Sequence, residues 1–385
     1  MGFWRLDPSI DFLNHGSFGA TPEPVLLEQQ RWRELMENEP VRFFVDHLEP
    51  AIDNARRRVC EFVGASPTEL VFVHNATTAV NTVLRWLEPR LKPGDQLLTT
   101  DHVYNACQNA MRATAKRVGA QVVIAKVPFP LVGPEQVSEA VLAAVTPRTR
   151  WALIDHVTSP TALVFPVEGL IQALRARGVQ VMIDGAHAPG MLPLQLQKLN
   201  ADWYTGNLHK WCCAPKGAAF LWAREELTEG LQPLVVSHGA SLERTDRSRF
   251  HLEFDYCGTE DVSAYLSVPA ALDAIASLEV GGWPAVMEKN HRLALQAGQI
   301  LEELGDYANA PAPMRGSMYA VELPPMSRDK AHALSQHLIR EQRFEVPVMP
   351  WHDGRQLLRV SAQRYNKLEQ YQRLAGVVRS FLQRT

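Results

Sequence analysis

The chain has 385 residues, of which 46% are apolar and 21% charged, with a formal net charge of −3. That composition fits two or three folding units that bury a core without disulfides or metals. It gives no global attraction to nucleic acid or anionic membranes, and no run of about 18 apolar residues suggests a membrane span.

Met1 to Gly16 lacks the apolar stretch of a signal peptide, which points to the cytoplasm. The cysteines are Cys60, Cys107, Cys212, Cys213 and Cys257. They are odd in number and not paired in spacing, so no disulfide framework is expected. Neither CxxC nor HExxH occurs, and no metal is expected. The basic run Arg56-Arg57-Arg58 reads as a solvated helix face.

From about residue 70 to 225, short apolar runs alternate with helical patterns. Leu70–Val73, Gln96–Thr99, Gln121–Ile124, Trp151–Ile154, Val181–Ile183 and Ala218–Trp222 read as strands buried on both faces. Thr78–Leu87 and Glu168–Arg177 read as helices between them. This alternation predicts an α/β layered domain with a mostly parallel sheet. After about residue 265 the texture changes. Helical patterns cover Pro269–Leu278, Ala285–Leu304, Lys330–Glu341 and Leu368–Leu382, with short strands at Met318–Leu323 and Leu357–Val360. The chain thus divides into a large domain over 21–265 and a smaller α+β domain over 266–385, with a turn or hinge near Gly281–Pro284.

Ligands of parallel sheets gather outside the carboxyl ends of the strands, so polar residues after each strand are candidates for chemistry. Val73 is followed by His74-Asn75-Ala76-Thr77-Thr78 and then a helix. A helix N-terminus favours a phosphate, and small Ala76 lets the backbone approach; plain capping by Asn75 or Thr77 is the alternative. Ile183 is followed by Asp184, which could cap, ligate a metal, or hold a protonated pyridine nitrogen. Lys210 lies in the apolar, aromatic segment Trp203–Trp211, taken to follow a further strand. Burial lowers an amine's pKa and helps it form a Schiff base, whereas a snorkelling structural lysine is the bland alternative. Asn207 and His209 could add phosphate donors, and Cys212-Cys213 reads as core.

The motifs Leu13–Gly19, Pro40–Phe44, Asn75–Thr78, Asp101–Tyr104, Thr158–Thr161, Asp184–His187, Gly206–Trp211, Gly258-Thr259 and Arg359–Ser361 run in one order over nearly the whole chain. They resemble the fold-type I pyridoxal-phosphate enzymes of the class V aminotransferase group, and more closely its isopenicillin N epimerase-like branch. The resemblance implies a three-layer PLP-transferase fold and a pyridoxal 5′-phosphate cofactor bound to Lys210, with Asp184 on the pyridine nitrogen. It implies His187, with Ser159, near the ring's phenolic oxygen, and Ala76, Thr77, Asn207 and His209 on the phosphate. Thr259 would reach the phosphate of a neighbouring subunit, so a homodimer is implied. Arg359 would bind the substrate carboxylate, while Asn14, His15 and Arg42 line the substrate side, making residues 1–20 a segment of the active site. Either His102 or Tyr104 would cover the ring.

Epimerisation or C–S β-elimination of an amino acid is the expected reaction. A transaminase is the rival within the fold, and a ligand-sensing module is the rival without catalysis. A persulfide-forming desulfurase is disfavoured, because no cysteine lies beyond Cys257.

Overall fold

The computed structural model describes residues 2–307 and 310–384. Its central sheet has seven strands: β1 (Leu70–Val73), β2 (Gln96–Thr100), β3 (Gln121–Ala125), β4 (Thr149–Asp155), β5 (Gln180–Asp184), β6 (Trp203–Asn207) and β7 (Ala219–Ala223), in the spatial order β1-β7-β6-β5-β4-β2-β3. Only β7 runs against the others.

Six of the strands are largely buried because both sheet faces are covered. The edge strand β3, expected to be buried on both faces, is only partly so, with Gln121 exposed because no strand flanks it on its outer side. Leu70 and Phe72 enter one core, while Val71 and Val73 enter the other. The same alternation divides Ile183 from Met182 and Phe220 from Leu221. Helices Ala76–Leu87 and Asn105–Val118 pack against one face, and Leu48–Val63 and Val167–Arg175 against the other. The six strands sharing a direction send their carboxyl ends to one edge, where the polar residues collect.

A second, antiparallel sheet holds β8 (Asp306–Tyr307), β9 (Met318–Glu322), β10 (Val348–Pro350) and β11 (Gln356–Ser361), in the order β10-β11-β9-β8. Helices Gly282–Leu301 and Leu368–Gln383 pack on it around a core containing Leu301, Val321, Leu358 and Leu374. The N-terminal segment joins this region: Asp11–Phe12 pairs in parallel with Phe344–Glu345, and Leu13 enters the same core. Among the described residues, no helix is long and apolar enough to cross a membrane.

Two sequence readings are corrected. Trp203–Asn207 does not follow a strand but is one, with all five residues buried. Arg56 is not part of a solvated face. It is 2% exposed and pairs with Asp53 at 2.6 Å and Asp255 at 2.5 Å, which compensates its buried charge.

Candidate active site

The carboxyl ends of β1, β2, β4, β5 and β6 border one cavity of about 530 Å³. Strand β1 leads through Asn75 into the helix Ala76–Leu87. The Asn75 side chain accepts the Thr78 amide at 2.9 Å, so it caps the helix as its residue type favours. The Ala76 amide donates instead across the sheet, to Asn207 Oδ1 at 2.9 Å. Asn207 is the last residue of β6, so the helix N-terminus is pinned to the strand that leads to Lys210. Ala76, Thr77, Asn207 and His209 all line this end of the cavity. His209 Nδ1 donates to the Ala218 carbonyl at 2.9 Å. Burial pushes its pKa down to about 4, which an anion beside it would oppose.

Asp184 ends β5 and is 3% exposed. Its carboxylate accepts the Ala186 amide at 3.0 Å and the Cys107 thiol at 3.4 Å. Burial raises its pKa, while those bonds and Lys210 act in the opposite sense.

Lys210 lies three residues past β6, with its amine 3.2 Å from His187 Nε2. Trp211 Nε1 donates to His187 Nδ1 at 3.4 Å, so neutral His187 carries its proton on Nε2. That proton faces the lysine nitrogen, which can accept it only as a neutral amine. Burial, with Arg359 second, lowers the Lys210 pKa to about 7, so the neutral amine is accessible near neutrality.

The N-terminal segment closes the site from behind. His15 is fully buried and does not line the cavity. Its Nε2 donates to the Lys210 carbonyl at 2.9 Å, and its Nδ1 accepts the Tyr365 hydroxyl at 2.8 Å. Burial pushes its pKa to about 3, so it serves as a neutral strut. Gly19 has φ 71°, and a β-carbon there would lie 2.2 Å from the His209 carbonyl oxygen. Only glycine permits both the conformation and the approach.

Arg359, within β11, is 2% exposed. One guanidinium nitrogen donates to the Ser159 carbonyl at 2.6 Å and hydroxyl at 3.1 Å; the other donates to Asn14 Oδ1 at 3.2 Å and Ser17 Oγ at 3.0 Å. Burial brings its pKa down to about 10. Ser159 and Ser17 line the cavity, so the guanidinium stands directly behind its wall.

Of the two candidates for covering a ring, Tyr104 lines the cavity and is 48% exposed. His102 is not brought there. Its Nδ1 accepts from Thr161 at 2.7 Å and its Nε2 donates to the Val127 carbonyl at 3.1 Å, among Phe129, Phe165 and Trp351. Nor does the fold bring two other candidates into the cavity of this chain. Arg42 is exposed and pairs with Glu39 at 3.1 Å. Thr259 is exposed and bonds Tyr256 at 2.9 Å.

Sequence reasoning missed Asp155, which ends β4, lines the cavity and is 3% exposed. Its signal is the one that marked Asp184: a carboxylate closing an apolar run, here Trp151-Ala152-Leu153-Ile154. Cys107, reaching Asp184 from the helix Asn105–Val118, and Phe18, on the cavity wall, carried no such signal.

The sequence pattern of the family described as "Aminotransferase class-V" matches residues 20–374. The isopenicillin N epimerase of Amycolatopsis lactamdurans is 37% identical, covering 97% of this chain and 96% of its own. A probable L-cysteine desulfhydrase of Arabidopsis thaliana is 32% identical over 98% of this chain and 84% of its own. Among solved structures, the cystine C–S lyase C-DES in complex with cysteine persulfide superposes with a TM-score of 0.82 at 22% identity, over 96% of this chain and 97% of that one. The Escherichia coli cysteine desulfurase CsdA gives 0.79 at 20% identity, over 99% of this chain and 97% of that one, and at such identities the likeness concerns the fold. With the family pattern spanning 20–374 and relatives above 30% identity along nearly its full length, this chain belongs to the aminotransferase class-V family.

Proposed function

We propose that this chain uses pyridoxal 5′-phosphate to remove the α-proton of an amino acid, with C–S β-elimination as the outcome. The carrying observation is the convergence, in one cavity, of a helix N-terminus, a buried carboxylate and a buried amine with a pKa near 7. The donor set fits the cofactor's three distinct ends. The turn at Ala76 and Thr77, with Asn207 and His209, suits a phosphate. Asp184 suits a pyridinium, and Lys210 suits a covalent attachment. His187 and Ser159, which line the same cavity, would serve the ring oxygen.

When bound, the cofactor supplies an electron sink for the charge left at the α-carbon. The protein does the remainder. Asp184 stabilises positive charge at the ring nitrogen in a water-poor setting. The Lys210 amine, which would hold the cofactor, would also take the α-proton. Arg359 turns its fork to the substrate carboxylate, assisted by Asn14. Tyr104 is a second proton donor, at the cavity wall, for a leaving sulfur. Lys210 is the only amine lining the cavity among the described residues, which favours one-base chemistry with loss of a leaving group.

Epimerisation is the second reading, favoured by the 37% identity to an isopenicillin N epimerase. It would use Tyr104 to return a proton on the opposite face. We further propose a homodimer in which Thr259 reaches the neighbour's phosphate site, in line with the exposure of Thr259 itself. Desulfurase chemistry is disfavoured, since Cys60, Cys107, Cys212 and Cys213 are buried and Cys257 does not line the cavity.

Incubation with amino acids and cysteine conjugates in deuterated buffer decides among these. Pyruvate, ammonia and a sulfur fragment support elimination. Inverted, α-deuterated amino acid without keto acid supports epimerisation. Stoichiometric amino transfer to an added keto acid, with neither result, overturns both.

A further inference from the structure

Asp155 and Asp184 occupy matching positions on neighbouring parallel strands, each as the last residue of its strand, and they are register partners. Parallel neighbours lie about 4.8 Å apart, and register partners project to the same sheet face. The residues two positions earlier, Leu153 and Met182, both enter the core on that face, as does Cys107. Both carboxylates line the cavity and are 3% exposed.

Their hydrogen bonding differs. Both oxygens of Asp184 are engaged, by the Ala186 amide and the Cys107 thiol. Asp155 Oδ2 is buried with no partner. An unpaired, fully ionised carboxylate beside a second one, away from water, is too costly to persist.

We propose that Asp155 is a positioning residue for Asp184: the two carboxyls hold one proton between them, and with a cation on Asp184 that proton rests on Asp155. This deepens the proposed function and rests on the reading that Asp184 faces a pyridinium. The groups facing Asp155 are consistent with it. Strand β5 brings Asp184, the turn after β6 brings the Lys210 amine, the helix Asn105–Val118 brings Cys107, and the segment before that helix brings the Tyr104 amide. On its other flank, Thr99 of β2 donates to the Leu153 carbonyl and adds no charge. Burial, then Asp184, drive the Asp155 pKa well up, against weaker opposition from the Tyr104 amide and Lys210.

The arrangement has a chemical purpose. An O–H donated to a carboxylate is a strong, charge-assisted bond, and it makes that carboxylate a weaker base. A weaker base at Asp184 leaves its proton on the ring nitrogen, where the charge is needed. Asp155 would thus tune the electron sink without touching the reacting atoms.

Infrared spectra of the full chain test this, taken as wild type minus Asp155→Asn and recorded separately with and without pyridoxal 5′-phosphate. The stretch of a protonated carboxylic acid is expected in the wild type in both states and is expected to vanish in Asp155→Asn. Its absence from the loaded wild type, or its survival in Asp155→Asn, overturns the proposal. Should Asp155→Asn not fold, Asp155→Glu keeps the acid and must displace the band; an unmoved band assigns the acid elsewhere. Asp155→Leu removes the donor altogether. The pH at which the visible absorption of bound cofactor changes should then rise, because Asp184 withdraws the ring proton, and an unmoved pH refutes the link. A chain that binds no pyridoxal phosphate would defeat the reading of the site, while the cofactor-free spectra would still decide whether the proton is shared.

Discussion

Asn207 accepts the Ala76 amide at 2.9 Å, joining two residues 131 positions apart. The bond ties the first turn of the helix after β1 to the strand that carries Lys210 towards the cavity. The anion-binding end of the site and its amine are therefore held by one side-chain contact. Asn207→Leu should leave the buried Ala76 amide without its partner, at a cost of about 1–3 kcal/mol. Denaturant unfolding of the cofactor-free chain measures it. The same variant should bind pyridoxal phosphate more weakly, and unchanged values in both measurements would contradict the role.

Borohydride reduction of the loaded protein should fix the cofactor to Lys210, as read by peptide mapping. An adduct on Lys216, the next lysine along the chain, would move the site. Lys210→Ala should abolish turnover while retaining some cofactor non-covalently.

The depressed Lys210 pKa also sets a pH dependence. Its folded value is about 7 against an ordinary 10.5. Between these values the unfolded chain holds a proton that the folded chain has released, so stability rises with pH across that window. Below about pH 7 both states carry the proton, and the full penalty of the buried cation remains. Lys210→Met should relieve that penalty, raising the stability of the cofactor-free chain at pH 6 by on the order of 4 kcal/mol and flattening its pH dependence from 7 to 10. Equal slopes in wild type and variant would show that the amine is not buried as described.

Asp184→Asn should still bind cofactor but turn over roughly 100- to 1,000-fold more slowly, the usual effect of losing one preorganised electrostatic partner. Stopped-flow measurement of α-proton exchange reads the step directly. Wild-type exchange in this variant would remove Asp184 from the electron-sink role.

Arg359→Lys gives up the planar fork shared among Ser159, Asn14 and Ser17. KM for carboxylate-bearing substrates should rise about tenfold, or ~1.4 kcal/mol. Residues 11–19 should also become more open to proteolysis, since two of their side chains lose their anchor. A KM change without that opening would separate substrate contact from support of the segment.

Much of this architecture is legible in the sequence. Strands buried on both faces announce themselves as short apolar runs, and Leu70–Val73 matched to the residue. Asp184 and Lys210 were found because each breaks an apolar stretch near the end of a strand. The strand Trp203–Asn207 was overlooked because Thr205, Gly206 and Asn207 look like loop. Tertiary contacts override that composition: Thr205 donates to the Phe220 carbonyl at 2.8 Å, and a side chain on Gly206 would strike Pro189 and Phe220. His102 and Tyr104 could not be separated by sequence, being two residues apart at the same turn. Burial separates them, because His102 finds both its partners inside the protein. Arg56 was misread because its compensating carboxylate, Asp255, lies 199 residues away.

The strut behind the lysine also has a bearing on biosynthesis. The Lys210 carbonyl is held by His15, and His15 by Tyr365, a residue 350 positions further along the chain. A ribosome has released the lysine well before Tyr365 is made, so the last support of its loop emerges long after the lysine itself. Contacts of such long range form late, because the chain between them must first be ordered. Capture of a cofactor in its final geometry must therefore await synthesis through Tyr365, and chains cut short of that residue should contain the lysine but hold it poorly.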